Sequence, residues 1–225
     1  MLLGVTMNLL MSKLCLILFL VSKLCNGYST KLDFYPPPCQ SKECPNYELI
    51  ESGKDYEIRR YNSLMWMSTA PIDDISFYSA STTGFLRLVD YIHGMNNYHE
   101  TIELTLPVIG QVKASSFVVS VYVPKKQQPN PPSAKGLHLQ KWGKTYVLVR
   151  QFSGYATDDV IPNEAAALSA SIAGTKWAAA IDKSRAADNS TMYTVAQYNS
   201  PFEFKNRVNE IWFTFDFDEA PALSF

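Results

Sequence analysis

Side chains that could carry out chemistry are few in this chain, and their spacing does not favour catalysis. His93, His99 and His138 are scattered without the spacing of a metal-ligand pair. The sequence contains no Gly-x-Ser-x-Gly nucleophile motif and no glycine-rich phosphate loop. Met65 and Met67 flank Trp66 on a predicted strand, which favours core packing over sulfur ligation. The sequence therefore shows no catalytic constellation.

An apolar run near the N-terminus predicts export. Residues 14–21 are apolar and follow Lys13, and the small residues at 25–27 suit cleavage by a signal peptidase. A membrane anchor is the alternative, but a spanning helix needs ~20 apolar residues and Lys23 interrupts this run. We expect residues 1–27 to be a secretory signal peptide, so that the mature protein has no membrane span and is secreted or lies in an endomembrane lumen.

An oxidising compartment leads to two further predictions. Cys39 and Cys44 form a Cys-x4-Cys pair beside three prolines, and we expect them to form a disulfide that stabilises the fold by ~2 kcal/mol at most. A zinc site is the alternative, but it would need two more ligands. Asn189 begins an Asn-Ser-Thr sequon in a polar stretch and is a predicted glycosylation site.

Charge and length limit the partners. The 225 residues include 20 Lys+Arg and 21 Asp+Glu, and loss of residues 1–27 would remove Lys13 and Lys23, leaving 18 basic side chains against 21 acidic ones. Binding to nucleic acid or anionic lipid requires clustered basic surface, which this balance does not indicate. The remaining chain is long enough for one domain with its own core, and we expect a monomer that binds no nucleic acid.

Hydrophobic periodicity predicts the elements. Period-two alternation predicts eight strands, at 56–61, 65–70, 102–106, 117–123, 137–142, 145–151, 192–198 and 211–217. Two segments have a helical period instead. In the first, one stripe contains Tyr78, Ser81, Phe85, Leu88, Val89 and Ile92 and ends at Gly94, while the second helix begins at Pro162 and ends at Gly174.

The order strand, strand, helix, strand, strand occurs twice, with a linker at residues 124–136. This predicts an internal duplication into two β-β-α-β-β halves. Alternating strands whose open flanks are covered by helices suit a barrel. The predicted fold class is therefore α+β, a distorted eight-stranded antiparallel β-barrel flanked by two α-helices.

The closing segment resembles that of the SOUL heme-binding family. It comprises residues 193–201 and 206–212, and further matches precede it in order at 56–61, 66–69, 83–85, 91–94 and 149–154. The resemblance covers roughly residues 44–217 and implies a distorted eight-stranded barrel with two helices. We therefore divide the chain into the signal peptide at 1–27, a Pro/Cys-rich arm at 28–46, a SOUL-type domain at 47–217 and a C-terminal tail at 218–225.

The resemblance also implies a shallow apolar pocket for a tetrapyrrole, formed by the first helix and the loop between the last two strands. Its implied residues are Thr82, Phe85, Leu86, Val89 and Asp90 on the helix and Phe202 and Glu203 in the loop. On helical geometry the first four of these form one edge of the apolar stripe, and Leu88 and Ile92 form the other. One edge could face a ligand and the other the core, or the whole stripe could be core.

This chain departs from the family at two kinds of position. Some members have a histidine, proposed as an iron ligand, where this chain has Arg60. Axial ligation through that position is thereby excluded, although an inward Arg60 could bind an anion such as a propionate. The best-described pocket has basic side chains at positions resembling Thr82, Asp90 and Glu203, of which none is basic here.

Four functions remain open. The first is binding of heme or a related tetrapyrrole, for buffering or transport, and the second is binding of another flat apolar small molecule. The third is a protein-interaction module, which a flat convex surface at Phe85 and Val89 would favour. The fourth is a hydrolase on the same fold, which requires a buried acid with a raised pKa at Asp90 or Glu203.

Overall fold

A single antiparallel sheet of nine strands carries the fold. The computed structural model describes residues 35–188, 190–200 and 203–217. The strands are β1 (Glu48–Ser52), β2 (Glu57–Tyr61), β3 (Leu64–Thr69), β4 (Val108–Val112), β5 (Phe117–Tyr122), β6 (Leu137–Trp142), β7 (Thr145–Ser153), β8 (Tyr193–Gln197) and β9 (Val208–Phe215). The helices are α1 (Phe77–Ile92), α2 (Val160–Ser171) and α3 (Lys176–Ala187), and residues Pro37–Gln40 form a 3-10 helix.

The strand order reflects the predicted duplication. The sheet runs β1-β2-β7-β9-β8-β4-β5-β3-β6. Strands β2, β3, β4 and β5 of the first half correspond in sequence order to β6, β7, β8 and β9 of the second half. When each strand is replaced by its counterpart, the order of these eight strands is reversed, as expected for two equivalent halves. The two halves meet where β8 pairs with β4. The sheet curls into an α+β distorted barrel that stays open, because β1 and β6 are its edge strands. This confirms the predicted fold class, with β1 as an additional strand.

The predicted strand at 102–106 is wrong, and β4 at Val108–Val112 takes its place in the ladder. Ile102 and Leu106 are buried, which produces the alternating pattern. The backbone N–H of Ile102 donates to the carbonyl of Ile92 at 2.8 Å, and that of Leu106 donates to the carbonyl of Glu43 at 2.9 Å. Neither acceptor belongs to a β-strand. The alternation of apolar and polar residues at 102–106 arises because an extended segment packs against the core on one side. Such packing does not require hydrogen bonding to a neighbouring strand.

A third helix was not predicted. The segment from Lys176 to Ala187 forms α3, in which only Trp177 and Ile181 are buried. Two large apolar side chains four residues apart among alanines give a weak helical period. The second predicted helix is present as α2, but it begins at Val160, before Pro162.

Both faces of the sheet are buried. On the helix face, the three helices pack against side chains such as Val119, Leu148 and Ile211. On the opposite face, here called the arm face, a second cluster surrounds Trp66 and Trp212, and Tyr47, Cys39 and Cys44 pack against it. The segment that was predicted as a separate arm therefore covers part of the core.

Two glycines allow α1 to lie close to the sheet. A Cβ atom on Gly84 of the helix would come within 2.4 Å of the Val119 side chain, and one on Gly110 of β4 would come within 2.6 Å of the Phe77 ring. The helix begins where the Ser76 hydroxyl accepts the N–H of Ser79 at 3.1 Å. It ends at His93, followed by Gly94 with a φ of 101°.

Candidate functional site

The outer surface of α1 is apolar along one arc. At 100° per residue, positions 78, 82, 85, 86 and 89 fall within an arc of about 100°. Tyr78 is 64% exposed and Leu86 is 57% exposed, Thr82 is exposed, and Phe85 and Val89 are half-buried. Four of the five implied helix residues therefore lie together on a surface that solvent reaches. We call residues 78, 82, 85, 86 and 89 the α1 arc.

The opposite side of α1 is core. Leu88 is fully buried and Ile92 is 6% exposed, so the predicted division into a core edge and an outer edge is observed. Tyr78 and Ser81, however, do not belong to the core stripe. That stripe consists instead of Phe77, Ala80, Gly84, Leu88, Tyr91 and Ile92. The core stripe was not recognised in the sequence because Ala80 and Gly84 are small, and a hydrophobic pattern is identified mainly from large apolar side chains.

The loop between β8 and β9 lies at the same end of the sheet as the C-terminal end of α1. Gln197, the last residue of β8, pairs with Val108 of β4, which also pairs with Val121 of β5. Val121 lines one small cavity with Tyr91 and Ile92 of α1. The sheet thus brings the start of this loop to the end of the helix that carries Val89 and Asp90.

Glu203 is bound within its own loop. Its exposed carboxylate accepts hydrogen bonds from the side-chain amide of Asn199 at 2.8 Å and from the N–H of Ser200 at 3.1 Å. These two bonds hold the pKa of Glu203 below its ordinary value. Arg207 donates to the carbonyls of Ser200 at 2.8 Å and Glu203 at 2.7 Å. Phe202 lies outside the described residues, while Phe204 is described and is 76% exposed.

The two acids do not meet the requirement for hydrolysis. Asp90 and Glu203 are both exposed, and the pKa of Glu203 is lowered. A general acid at neutral pH needs burial that raises its pKa. Neither side chain supports the hydrolase alternative.

Arg60 lies on a different part of the sheet from the strands on which α1 mainly packs. It lies on β2, half-buried, and forms an ion pair with Glu48 of β1. In the sheet order, β7, β9 and β8 separate β2 from β4, the first strand in that direction that α1 contacts. The described ion pair therefore holds Arg60 beside the edge strand β1.

A buried ion pair on the arm face was not predicted from the sequence. Arg59 donates from Nη1 to Glu210 Oε2 at 3.0 Å and from Nη2 to Oε1 at 2.9 Å. Tyr198 Oη and Trp212 Nε1 donate to the same carboxylate at 2.8 Å and 2.7 Å. Burial opposes the charge on Arg59, but the Glu210 carboxylate and the neighbouring tyrosines together outweigh it, so the pKa of Arg59 lies well above its usual range. The Tyr47 ring lies 4.4 Å from the guanidinium carbon.

One signal could have revealed this pair. Arg59 follows Ile58 on a strand, and Glu210 precedes Ile211, so each charge lies on the face opposite a core residue. That face would be solvated in a one-sided sheet. The aromatic residues Tyr61, Tyr198 and Trp212 on the same face indicate that it is buried too, and a buried charge requires a partner.

The three histidines are exposed and do not form a metal site with other described residues. His93, His99 and His138 are all exposed. Among the described residues, no group of three or more His, Cys, Asp or Glu side chains could hold a metal ion.

No helix in the described part of the chain is both long and apolar enough to cross a membrane. Asn189 lies outside the described residues, and Cys39 and Cys44 form the predicted disulfide, with their Sγ atoms 2.08 Å apart.

A family model described as SOUL heme-binding protein matches residues 42–214. This chain belongs to the SOUL family. It is 30% identical over 186 residues to heme-binding protein 2 of Mus musculus, with 77% of this chain and 86% of that protein covered. It is 29% identical over the same shares to heme-binding protein 2 of Homo sapiens. Heme-binding protein 1 of Xenopus laevis is 27% identical over 72% of this chain and 85% of its own length.

In this SOUL protein, the matched region includes most of the structural features described above. It contains the α1 arc, the loop between β8 and β9, and both partners of the Arg59–Glu210 pair. It also begins before Cys44, so the segment that covers the arm face is partly within it.

Proposed function

We propose that this SOUL protein binds heme or a related tetrapyrrole on the α1 arc, for buffering or transport and without chemistry of its own. The observation that carries the proposal is the exposure of Tyr78 and Leu86 beside half-buried Phe85 and Val89. Exposed contiguous apolar surface marks an interaction site. The family and the names of its relatives supply the class of ligand.

The binding mode follows from what surrounds the arc. The histidine that some family members carry is Arg60 here, and it is paired with Glu48. The α1 arc contains no imidazole, amine, thiol or thioether, and apart from the Tyr78 phenol, a group that can ligate heme iron, its contact with the macrocycle is apolar. We propose that the iron is not held by this protein, and that the propionates extend into solvent away from Asp90 and Glu203.

A titration with two ligands tests this proposal. Hemin and metal-free protoporphyrin IX should bind the mature protein with the same affinity, because apolar contact does not distinguish them. Replacement of His93, His99 and His138 together should leave the Soret maximum of the hemin complex unchanged. A preference for hemin of tenfold or more, or a shifted Soret band in the triple variant, would show that an axial ligand contributes.

A second candidate function is binding of another flat apolar small molecule on the same arc. It is favoured by the side chains at Thr82, Asp90 and Glu203, since none of them is a cation for a dicarboxylate. An uncharged porphyrin ester that binds more tightly than protoporphyrin IX would favour this candidate.

We also propose that the protein is exported, with residues 1–27 removed and Asn189 glycosylated. The Cys39–Cys44 disulfide supports an oxidising compartment. Mass analysis of the protein from its own cells would test all three features, and a mature N-terminus other than residue 28 would contradict the cleavage site.

A further inference from the structure

A second cleft lies at the end of the sheet next to α3, and it is lined by side chains from both faces of β9. Its volume is about 330 Å³, and it is enclosed by β4, the β6–β7 hairpin, β9 and the C-terminal end of α3. Gln111, Trp142, Thr145 and Thr214 line it. In their strands these residues alternate with the helix-face positions, so they continue the arm face beyond the aromatic cluster around Trp212. The side chains that the sheet contributes to the cleft from the arm face are therefore mostly polar.

The cleft is lined by the amide of Gln111. Gln111 is 7% exposed, and its side chain has no hydrogen bond to any residue that the structure describes. The Gln111 amide faces the cleft, where solvent reaches it, so its donors and its acceptor are available to a bound molecule. Gln140 accepts from the Ser68 hydroxyl at 3.2 Å, which leaves its two N–H donors for the cleft.

The rim of the cleft is electrically balanced. Lys113 and Arg185 are accompanied by Asp188 and Asp216. Lys113 interacts electrostatically with Asp188, and the Arg185 guanidinium lies 4.4 Å from the centre of the Phe213 ring. The cations are thus engaged within the protein, and the cleft does not favour an anionic ligand.

We propose that this cleft binds a neutral polyhydroxylated molecule of the size of one or two sugar rings. Hydroxyl groups both donate and accept, and so complement the amides of Gln111 and Gln140 and the hydroxyls of Thr145 and Thr214. Trp142 offers an apolar ring against which the C–H face of a sugar packs. The volume lies at the small end of ligand pockets, which span about 300–1,000 Å³. No α1 residue lines this cleft, so the inference is independent of the tetrapyrrole proposal.

The sugar could be free or attached to the protein itself. Asp188 and Ser190, the neighbours of the predicted glycosylation site Asn189, both line the cleft. Protein made in bacteria carries no such glycan and isolates the first source. Cellobiose, maltose and N,N′-diacetylchitobiose are suitable probes, added to the ¹⁵N-labelled mature protein and followed by NMR. At least one of them should shift the side-chain signals of Gln111, Gln140 and Trp142.

A matched pair of variants shows whether the unpartnered amide is responsible. Gln111→Met keeps the side-chain length, so it should weaken binding at least about tenfold. The melting temperature should change little, because the amide faces the cleft and the variant keeps the length of the side chain. Gln151→Met, at an exposed position of β7, should bind as the parent does.

Three outcomes would overturn the inference. The first is that no probe in the millimolar range shifts the signals of these three side chains. The second is that Gln111→Met binds as tightly as the parent, and the third is that Gln151→Met loses as much affinity as Gln111→Met.

The source of the sugar is decided in a separate experiment with glycosylated protein. Weaker binding of free saccharide by that form, restored in Asn189→Gln, would identify the protein's own glycan as an occupant.

Discussion

Arg59 and Glu210 form a two-bonded ion pair inside the protein, with side chains that are 2% and 0% exposed. Arg59 lies on β2 in the first half of the duplication, and Glu210 lies on β9 in the second. The Tyr47 ring, from the segment that covers the arm face, packs on the same guanidinium. This pair therefore connects both halves of the fold and the segment that closes one face.

Removal of the acid should destabilise the protein strongly. Glu210→Gln keeps the shape of the side chain but leaves the buried Arg59 cation with the partly exposed Glu57 as its counter-ion among the described residues. We expect a loss of about 3 kcal/mol in the free energy of unfolding, measured with urea. The double variant Arg59→Met with Glu210→Met should recover most of this loss, since no charge is then buried. A loss below about 1 kcal/mol in Glu210→Gln would contradict this interpretation of the pair.

Alkaline pH should unfold the protein through its buried tyrosines. Burial, followed by the nearby Glu210 carboxylate, raises the pKa of Tyr198 well above its usual range, and burial raises the pKa of Tyr91 to about 12. An unfolded chain loses these protons near pH ~10, whereas the folded protein holds them. The stability they contribute is complete below pH ~10 and is lost as pH rises through the folded pKa values. Urea midpoints at pH 9 and pH 11 should differ clearly, and equal midpoints would refute this.

The disulfide should contribute modestly. Cys39 and Cys44 are five residues apart, and closing so short a loop stabilises by about 2 kcal/mol in the chain-entropy model. Replacing both with Ser should lower the free energy of unfolding by no more than that amount. Non-reducing mass analysis should show no free thiol in the secreted protein, and finding two would disprove the bond.

Neighbouring residues on α1 should behave differently. Leu88 is fully buried, so Leu88→Ala should cost about 2–5 kcal/mol of stability. Val89 is half-buried on the outer arc, so a charge there can reach water and Val89→Asp should leave the fold largely intact. Thermal unfolding of both variants is the measurement. Equal destabilisation would mean that the whole stripe is core.

The sequence predicted the elements whose patterns rest on large side chains. The alternation of Phe117, Val119 and Val121 became β5, and Leu88 and Ile92 became the buried edge of α1. Patterns built from small residues were not recognised. Ala80 and Gly84 complete the core stripe of α1, and alanines separate the two buried side chains of α3.

The second buried face explains the other omissions. Residues 36–47 and the aromatic side chains of β2 and β9 fill the arm face, and which strands meet there depends on pairing between the two halves. A one-dimensional pattern does not contain that pairing. It therefore concealed the Arg59–Glu210 contact, whose partners are separated by 151 positions.

The most direct test of tetrapyrrole binding on the α1 arc compares two exposed leucines. Leu86 lies on the arc and is 57% exposed, whereas Leu139 lies on β6 and is 37% exposed. Hemin and protoporphyrin IX are titrated into Leu86→Asp, Leu139→Asp and the parent, with thermal unfolding as the control for folding. We predict that Leu86→Asp folds but binds both ligands at least about tenfold more weakly, through the lost apolar contact and the added charge, while Leu139→Asp binds as the parent does. Equal affinity of Leu86→Asp and the parent would contradict the account and place the ligand elsewhere.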